Sequence, residues 1–146
     1  MSNNWKSKSR HKFLLQYHLI FVCKYRKKLF TKEISDDVKH LSYKICKRHN
    51  VIIHKMETDK DHIHYMIETE PTISISDLVR MMKSYITYHI WKSHKNYLSK
   101  HFWKESTLFT DGYFICSIGN VSEKQLRKYI KIKDKRGWIN IKNRRL

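Results

Sequence analysis

The first side chains in this sequence that could do chemistry are two histidines separated by one residue. His62 and His64 lie in the stretch METDKDHIHYMIETE, within an apolar, β-branched run that is typical of a strand. Successive strand side chains point to opposite faces, so both imidazoles are predicted to project from one face while Ile63 and Tyr65 face the core. Neutral imidazoles bind metals well, and the pair could hold a divalent ion if oxygen ligands or water complete its shell.

The spacing of the two histidines leaves a second interpretation open. The chain contains ten histidines, so such a pair can also arise as two surface side chains on the open face of a sheet. Asp61 and Glu68 are nearby carboxylates, but the sequence does not show that either one reaches the face of the histidines. The metal interpretation therefore needs support from other parts of the chain.

Tyr129 is a candidate nucleophile because it lies in a strongly basic segment near the end of the chain. A phenol has a pKa of about 10 and attacks poorly unless nearby cations and a metal-polarised phosphate assist it. Tyr129 could instead pack beside Leu126 and Ile130 as part of the core. The basic residues predicted to contact nucleic acid are Lys83, Arg127, Lys128, Lys131 and Lys133.

The charge of the chain points to a polyanionic partner. Thirty-one lysines and arginines against 13 aspartates and glutamates give a formal net charge of +18 in 146 residues. Such a surplus repels itself in the folded state and is usually kept for binding nucleic acid, although a merely soluble basic surface is the alternative. Basic residues are spread along the whole chain, which argues against a membrane-binding helix.

Several other classes of protein are excluded by composition. Three scattered cysteines without CxxC spacing argue against a disulfide framework or a thiolate zinc site. Three glycines could hardly build a phosphate-binding loop, so no nucleotide cofactor is expected. The N-terminal segment has no apolar signal core, and no apolar run approaches the roughly 18 residues that span a bilayer. A cytoplasmic protein with no membrane contact is the expectation.

Hydrophobic periodicity predicts an alternation of strands and helices. The first strand, 13–23, has one apolar face and one mixed face that carries Gln16 and His18. Ser74 or Ser76 can cap the second helix, and Ser122 begins the last. In chain order the predicted elements are strand 13–23, helix 33–48, strand 51–58, strand 62–69, a helix through Ile90, strand 107–119 interrupted at Asp111 and Gly112, and a helix from 122 toward 137.

This order predicts an α+β fold of the ferredoxin-like, split βαβ type. Such a fold has a four-stranded antiparallel sheet with two helices on one face, and here a C-terminal helix would carry Tyr129. The whole chain, 1–146, is expected to form one domain, with a basic N-terminal arm at about 1–11 and a C-terminal tail at about 137–146.

Four segments together resemble a known family. YHLIFVCKYRKKLF, TDKDHIHYMI, FWKESTLFTDGYFICSIGN and LRKYI occur in the order found in single-tyrosine HUH transposases of small bacterial insertion sequences, the superfamily that includes the REP-associated transposases. The resemblance covers roughly residues 13 to 133. It implies a ferredoxin-like domain that forms a homodimer with the sheets of the two subunits joined.

The resemblance also implies a reaction and assigns its residues. His62 and His64 would hold Mg²⁺ or Mn²⁺, and Tyr129 would attack single-stranded DNA beside hairpins at the ends of the element. The tyrosine would become linked to a 5′-phosphate and leave a free 3′-OH, and strand exchange would rejoin the ends. The tyrosine helix could serve its own subunit or the partner subunit. Unpaired bases could stack on aromatic side chains such as Tyr25, Trp91, Trp103 or Tyr113.

One position departs from the family pattern. Many members place a metal-binding glutamine one turn after the tyrosine, where this chain has Lys133. A protonated lysine cannot bind a cation. Either the third ligand comes from elsewhere, such as Asp61, or water completes the shell, or catalytic competence is reduced. Gln125, one turn before Tyr129, is explained more simply by a capping box with Ser122.

Two alternatives to a transposase remain at this point. A non-catalytic single-stranded nucleic-acid-binding protein on the same fold would share the charge and the aromatic residues. A hydrolytic nuclease would use the histidine-bound metal to activate water, with Tyr129 in a structural role. The nuclease ranks last, since the carboxylates that would complete a hydrolytic metal site are not evident. The transposase is preferred over the binding protein on the family resemblance, and only an assay of DNA cleavage separates these two.

Overall fold

The structure is a computed structural model that describes residues 5–8, 11–119 and 124. A turn of 3-10 helix occupies Lys24–Arg26, directly after the third strand. The elements of the described chain are β1 (Lys6–Lys8), β2 (His11–Phe13), β3 (Leu15–Val22), α1 (Lys32–Arg48), β4 (Ile52–Thr58), β5 (His62–Thr69), α2 (Ile75–Ser93), α3 (Lys95–Ser99) and β6 (Phe114–Ser117).

Four of the strands form an antiparallel sheet in the order β4-β5-β3-β6. The central pair, β3 and β5, runs in register from Leu15 opposite Thr69 to Val22 opposite His62. The four-stranded antiparallel sheet and its mixture with helices agree with the prediction. The separate β1-β2 hairpin was not predicted, because this segment was assigned to a basic arm.

The first helix begins and ends close to its predicted bounds because its local signals agree. The Thr31 side chain caps the helix by accepting a hydrogen bond from the backbone N–H of Ile34. Glu33 lies in the first turn, and Lys47 and Arg48 lie in the last, which suits the helix dipole. The apolar stripe of α1 faces the core.

The second helix is capped by Ser74, one of the two predicted caps, whose hydroxyl accepts from the backbone N–H of Asp77. Its predicted inward stripe is confirmed, since Val79, Met82, Ile86 and Ile90 are all buried. Arg48 at the end of α1 lies over the ring of Tyr85 on α2, so the two helices pack side by side.

Both helices cover the same face of the sheet. That face consists of alternate residues of β3 and β5, and its central side chains are completely buried. The ring of Phe21 meets the ring of Tyr65 edge to face, with 5.4 Å between centroids. Tyr65 also shares a hydrogen bond of 2.7 Å with Ser42 on α1. The prediction that Tyr65 faces the core is therefore confirmed.

Two segments after α2 differ from their predictions. The stretch between the predicted helix through Ile90 and the predicted strand 107–119, for which no element was predicted, contains the short helix α3. The predicted strand 107–119 is regular only over Phe114–Ser117, with an isolated bridge between Cys23 and Phe109 before it. The predicted interruption is confirmed at Gly112, whose φ of 84° lies in the left-handed region that favours glycine.

The three cysteines are free thiols. Cys23 and Cys46 are buried, and Cys116 is partly buried. Burial raises the pKa of the Cys23 and Cys46 thiols to about 12, so neither forms a thiolate at neutral pH. Within the described residues, no helix is long and apolar enough to cross a membrane. Apart from Lys124, the predicted last helix and the C-terminal tail lie outside the described residues.

Candidate active site

The predicted histidine pair lies on the sheet face opposite the two helices. His62 and His64 are on β5, where Ile63, Tyr65 and Ile67 point the other way and are completely buried. The alternation predicted from the sequence is therefore confirmed. The face of the histidines is far from open, because only 7% of His64 is exposed.

His62 is held by the residue that precedes it. Its Nδ1 atom lies 2.9 Å from Oδ1 of Asp61. An ionised carboxylate can only accept, so Nδ1 carries the proton and donates, and the neutral ring keeps its lone pair on Nε2. A lone pair on Nε2 is what a metal ligand requires.

Asp61 is itself held by Arg26. The Nε and Nη2 atoms of Arg26 lie 3.1 and 3.0 Å from Oδ2 of Asp61, while Oδ1 accepts from His62. Burial alone would raise the pKa of the Asp61 carboxyl, but the hydrogen bond from His62 and the charge of Arg26 together lower it below its usual value. Asp61 is therefore an anion whose two oxygens are both engaged by protein groups.

The backbone of the turn that carries Arg26 is also hydrogen-bonded to Asp61, the residue directly before β5. The backbone N–H of Cys23 donates to the carbonyl of Asp61 at 2.8 Å, and the N–H of Arg26 donates to the carbonyl of Cys23 at 2.9 Å. Tyr25 and Arg26 have φ values of 60° and 55°, a left-handed conformation that is uncommon for residues other than glycine.

His64 has a different partner, His18 on β3. The Nδ1 atom of His18 lies 2.9 Å from Nε2 of His64, and the ring centroids are 5.1 Å apart. His18 is 4% exposed, so this contact is buried. On the other side, Nδ1 of His64 lies 3.7 Å from Oε1 of Glu57 on β4. Sequence analysis placed His18 on the mixed strand face but did not single it out as a site residue.

The strand register places the three imidazoles in a row. His62 lies opposite Val22, and His18 lies opposite Met66, so they flank His64 on opposite sides along the strands. In residues 5–8, 11–119 and 124, no group of three His, Cys, Asp or Glu side chains is arranged to hold a metal ion. The predicted pair, His62 and His64, therefore fits a divalent ion only if oxygen atoms from water, DNA or another part of the chain complete its shell.

The second nearby carboxylate, Glu68, is also engaged. It accepts hydrogen bonds from His54 at 2.9 Å and Gln16 at 3.1 Å, and Lys6 lies 3.6 Å away. Burial acts to raise the pKa of Glu68, but these donors lower it below its ordinary value. Glu68 therefore ties the β1-β2 hairpin to the sheet. The third ligand stays open.

The other predicted site residues fall into two groups. Lys83 on α2 donates to the carbonyl oxygens of Thr110 and Gly112, which holds the segment before β6 against the helix. Its predicted contact with nucleic acid stays a prediction. The remaining predicted residues lie outside the described residues: Tyr129, Arg127, Lys128, Lys131 and Lys133.

Among the aromatic candidates for base stacking, Trp103 is the most accessible, with 80% of its surface exposed and Lys104 over its ring at 4.7 Å. Tyr25 is also exposed, and its hydroxyl donates to Glu105. Trp91 instead packs against the core and donates from its indole nitrogen to the carbonyl of Thr107.

The sequence matches the family model described as "Transposase IS200 like" over residues 11–133. The ISDra2 transposase TnpA of Deinococcus radiodurans is 26% identical over 118 residues, which cover 81% of this chain and 83% of that protein. The transposase for insertion sequence element IS200 of Salmonella typhimurium is 28% identical over 126 residues, which cover 86% and 81% of the two chains.

Solved structures support the same fold. A Deinococcus radiodurans protein described as a transposase superposes with a TM-score of 0.78 and 22% identity, covering 88% of this chain and 97% of that one. A REP-associated tyrosine transposase bound to a REP hairpin superposes with a TM-score of 0.52 and 14% identity, covering 91% of this chain and 75% of that one. At these identities the similarity shows the fold.

Proposed function

This chain belongs to the IS200-like transposase family, and from that membership we propose that it cleaves and rejoins single-stranded DNA at the hairpin-bearing ends of an insertion element through a phosphotyrosine at Tyr129. The observation that carries the proposal is the placement of His62 and His64 on the sheet face opposite the helices. The hydrogen bond from His62 to Asp61 leaves an imidazole lone pair on that face.

The proposed fold is the ferredoxin-like arrangement. The sheet order β4-β5-β3-β6, with α1 and α2 on one face, is compatible with a split βαβ unit in which β3 and β5 are the central strands. The proposal requires a C-terminal helix that carries Tyr129 to lie near the histidine face. The family resemblance also supports a homodimer that joins the sheets of two subunits.

In the proposed reaction, the Tyr129 oxygen attacks the phosphorus of the scissile linkage and releases its own proton to solvent. The bond from phosphorus to the 3′-oxygen breaks, and that oxygen takes up a proton to become a free 3′-OH. The new phosphotyrosine is still a phosphodiester, so attack by a 3′-OH can rejoin strands without a nucleotide cofactor.

His62 and His64 would hold the Mg²⁺ or Mn²⁺ ion that the resemblance implies. When bound, such an ion supplies Lewis-acid polarisation of a phosphoryl oxygen. Lys and Arg side chains, including Arg127, Lys128 and Lys131, would hold DNA phosphates in a salt-dependent manner. The excess of positive charge over the whole chain supports this role.

The test is formation of a covalent adduct between the protein and DNA. Hairpin oligonucleotides with randomised single-stranded flanks carry a label at the 3′ end, because the fragment joined to tyrosine by its 5′-phosphate then keeps the label. With Mn²⁺, the wild-type protein should yield a labelled band that survives SDS and disappears with EDTA. Tyr129→Phe should bind the same DNA in a mobility-shift assay and give no such band.

Tyr88→Phe is the matched control, since Tyr88 is an exposed tyrosine on α2 and should leave the adduct unchanged. Labelled fragments without attached protein, still produced by Tyr129→Phe, would identify a hydrolytic nuclease instead. DNA binding without cleavage in Mg²⁺ or Mn²⁺ would identify the non-catalytic nucleic-acid-binding alternative.

A further inference from the structure

We propose that Arg26 and Asp61 are positioning residues that hold the His62 ring in the tautomer able to bind a cation. The inference rests on the proposed function, because it assigns His62 to the metal-binding pair. It adds a role for two residues that do not themselves need to touch the ion or the DNA.

The first support is the chain of hydrogen bonds. Asp61 uses one oxygen for each neighbour: Oδ1 accepts from Nδ1 of His62, and Oδ2 accepts from Nε of Arg26, with Nη2 of the same guanidinium 3.0 Å away. A carboxylate that accepts a charge-assisted hydrogen bond on one oxygen and a second hydrogen bond on the other has little freedom to rotate. The proton on Nδ1 of His62 is therefore held in place, and the lone pair is held on Nε2.

The second support is the backbone that presents Arg26. Two consecutive residues, Tyr25 and Arg26, adopt left-handed φ values, a conformation that is unfavourable at a residue other than glycine. The turn is fixed by hydrogen bonds of its backbone, including the one from Cys23 to the carbonyl of Asp61. The same residue, Asp61, is thus contacted by the turn through its backbone and through its side chain.

The third support is burial. The side chains of Arg26, Asp61 and His62 are only 20%, 18% and 14% exposed. A charged pair that is largely removed from water is costly unless its hydrogen bonds are well made. An ion pair on the open surface could be a fortuitous contact. Because the pair of Arg26 and Asp61 is largely buried, it restricts the movement of the His62 ring.

A simpler role for the pair is to clamp the turn after β3 to the start of β5. Both roles predict lower stability when Arg26 or Asp61 is changed, so stability cannot separate them. The His62 tautomer and the affinity for Mn²⁺ separate the two roles, because a residue that only clamps the turn changes neither of them in a folded protein.

The experiment compares the full-length wild-type protein with Asp61→Asn, Asp61→Ala and Arg26→Lys. Long-range ¹H–¹⁵N spectra of the metal-free protein report the His62 tautomer, and electron paramagnetic resonance titration reports Mn²⁺ affinity. We expect the wild-type ring to be protonated at Nδ1, and the variants to show mixed tautomers with about 10- to 100-fold weaker Mn²⁺ binding. Arg26→Lys keeps the positive charge, so its loss of Mn²⁺ affinity should be the smallest, at about 10-fold.

The control is Asp36→Ala, which removes an equivalent contact between Asp36 and Lys32 on the exposed side of α1. It should change neither readout. Circular dichroism shows which variants are folded, and Asp61→Asn, the nearest in shape, keeps the comparison if Asp61→Ala unfolds.

Unchanged tautomer and affinity in folded Asp61→Asn and Arg26→Lys would overturn the proposal in favour of a clamp. Failure of the wild-type protein to bind Mn²⁺, or binding that survives His62→Ala, would also overturn it. Neither readout involves DNA cleavage. Loss of the phosphotyrosine adduct with Mn²⁺ binding intact would therefore contradict the proposed reaction and leave this inference standing.

Discussion

The Nδ1 atom of His18 and the Nε2 atom of His64 lie 2.9 Å apart in a buried contact between two strands. Only one proton fits between the two nitrogens, so one ring donates and the other accepts. A histidine that binds a metal usually donates its other N–H to a neighbouring group. If His64 binds a cation, its Nε2–H donates to His18 and its Nδ1 lone pair lies on the side of Glu57.

His18→Phe should therefore weaken Mn²⁺ binding by about 10-fold or more, because His64 loses the acceptor that fixes its tautomer. Phenylalanine fills the buried site but has no ring nitrogen. His40→Gln, on the exposed side of α1, is the control and should bind Mn²⁺ as the wild type does. Equal Mn²⁺ binding by a folded His18→Phe protein would contradict this role, and tighter binding would show that His18 competes with the ion for His64.

Removing either partner of the hydrogen bond between Tyr65 and Ser42 should lower the free energy of unfolding, but by different amounts. Ser42→Ala leaves the completely buried Tyr65 hydroxyl without the partner seen at 2.7 Å. Stranding such a group costs about 1–3 kcal/mol. Tyr65→Phe should cost less, since Ser42 still donates to the carbonyl of Val38. Urea unfolding measures both free energies, and a larger loss for Tyr65→Phe than for Ser42→Ala would contradict this reasoning.

The elements with strong local signals could be predicted from the sequence. Glu33 and Arg48 mark the two ends of α1 by their charge order, and the two histidines of β5 alternate with core residues at period two. The β1-β2 hairpin gave no such signal, because KSK and HKF lack apolar alternation. Helix α3 has five residues, too few for a helical period to be recognised.

The neighbours of the histidines could not be predicted from the sequence for a different reason. His18 and His64 are 46 residues apart, and Arg26 and Asp61 are 35 apart. Such contacts depend on the register between strands, and a slip of one residue would move every side chain to the other face. The sequence identifies which strand faces carry polar residues, but tertiary packing decides which of them meet.

The hydrogen bonds of Lys83 to the backbone predict that this residue stabilises the fold. Its ammonium group donates to the carbonyls of Thr110 and Gly112, so Lys83→Met should lower the free energy of unfolding by about 1–3 kcal/mol. Hydrogen exchange should rise around 110–113. Lys92→Met, an exposed residue on the same helix, is the control. Unchanged exchange together with a DNA-binding salt slope reduced by about 1 would instead place Lys83 on a phosphate.

Glu68 makes the stability of the fold depend on pH in the acid range. The donors His54, Gln16 and Lys6 lower its folded-state pKa below the ordinary value of 4.5, despite the opposing effect of burial. In the unfolded chain this carboxyl therefore takes up a proton at a higher pH than in the folded protein. Its stabilising contribution is complete above about pH 4.5 and is lost as the pH falls through the folded-state pKa.

Glu68→Gln should therefore be less stable than the wild type at neutral pH, and its stability should fall less steeply between about pH 5 and pH 3. Glutamine keeps the shape of the side chain but cannot be protonated in this range. Asp36→Asn, which removes an exposed partner of Lys32 on α1, is the control, and its profile should follow that of the wild type because exposed ion pairs contribute little. Thermal unfolding across this pH range measures all three proteins. Parallel profiles for Glu68→Gln and the wild type would mean that the ionised Glu68 does not stabilise the attachment of the β1-β2 hairpin to the sheet.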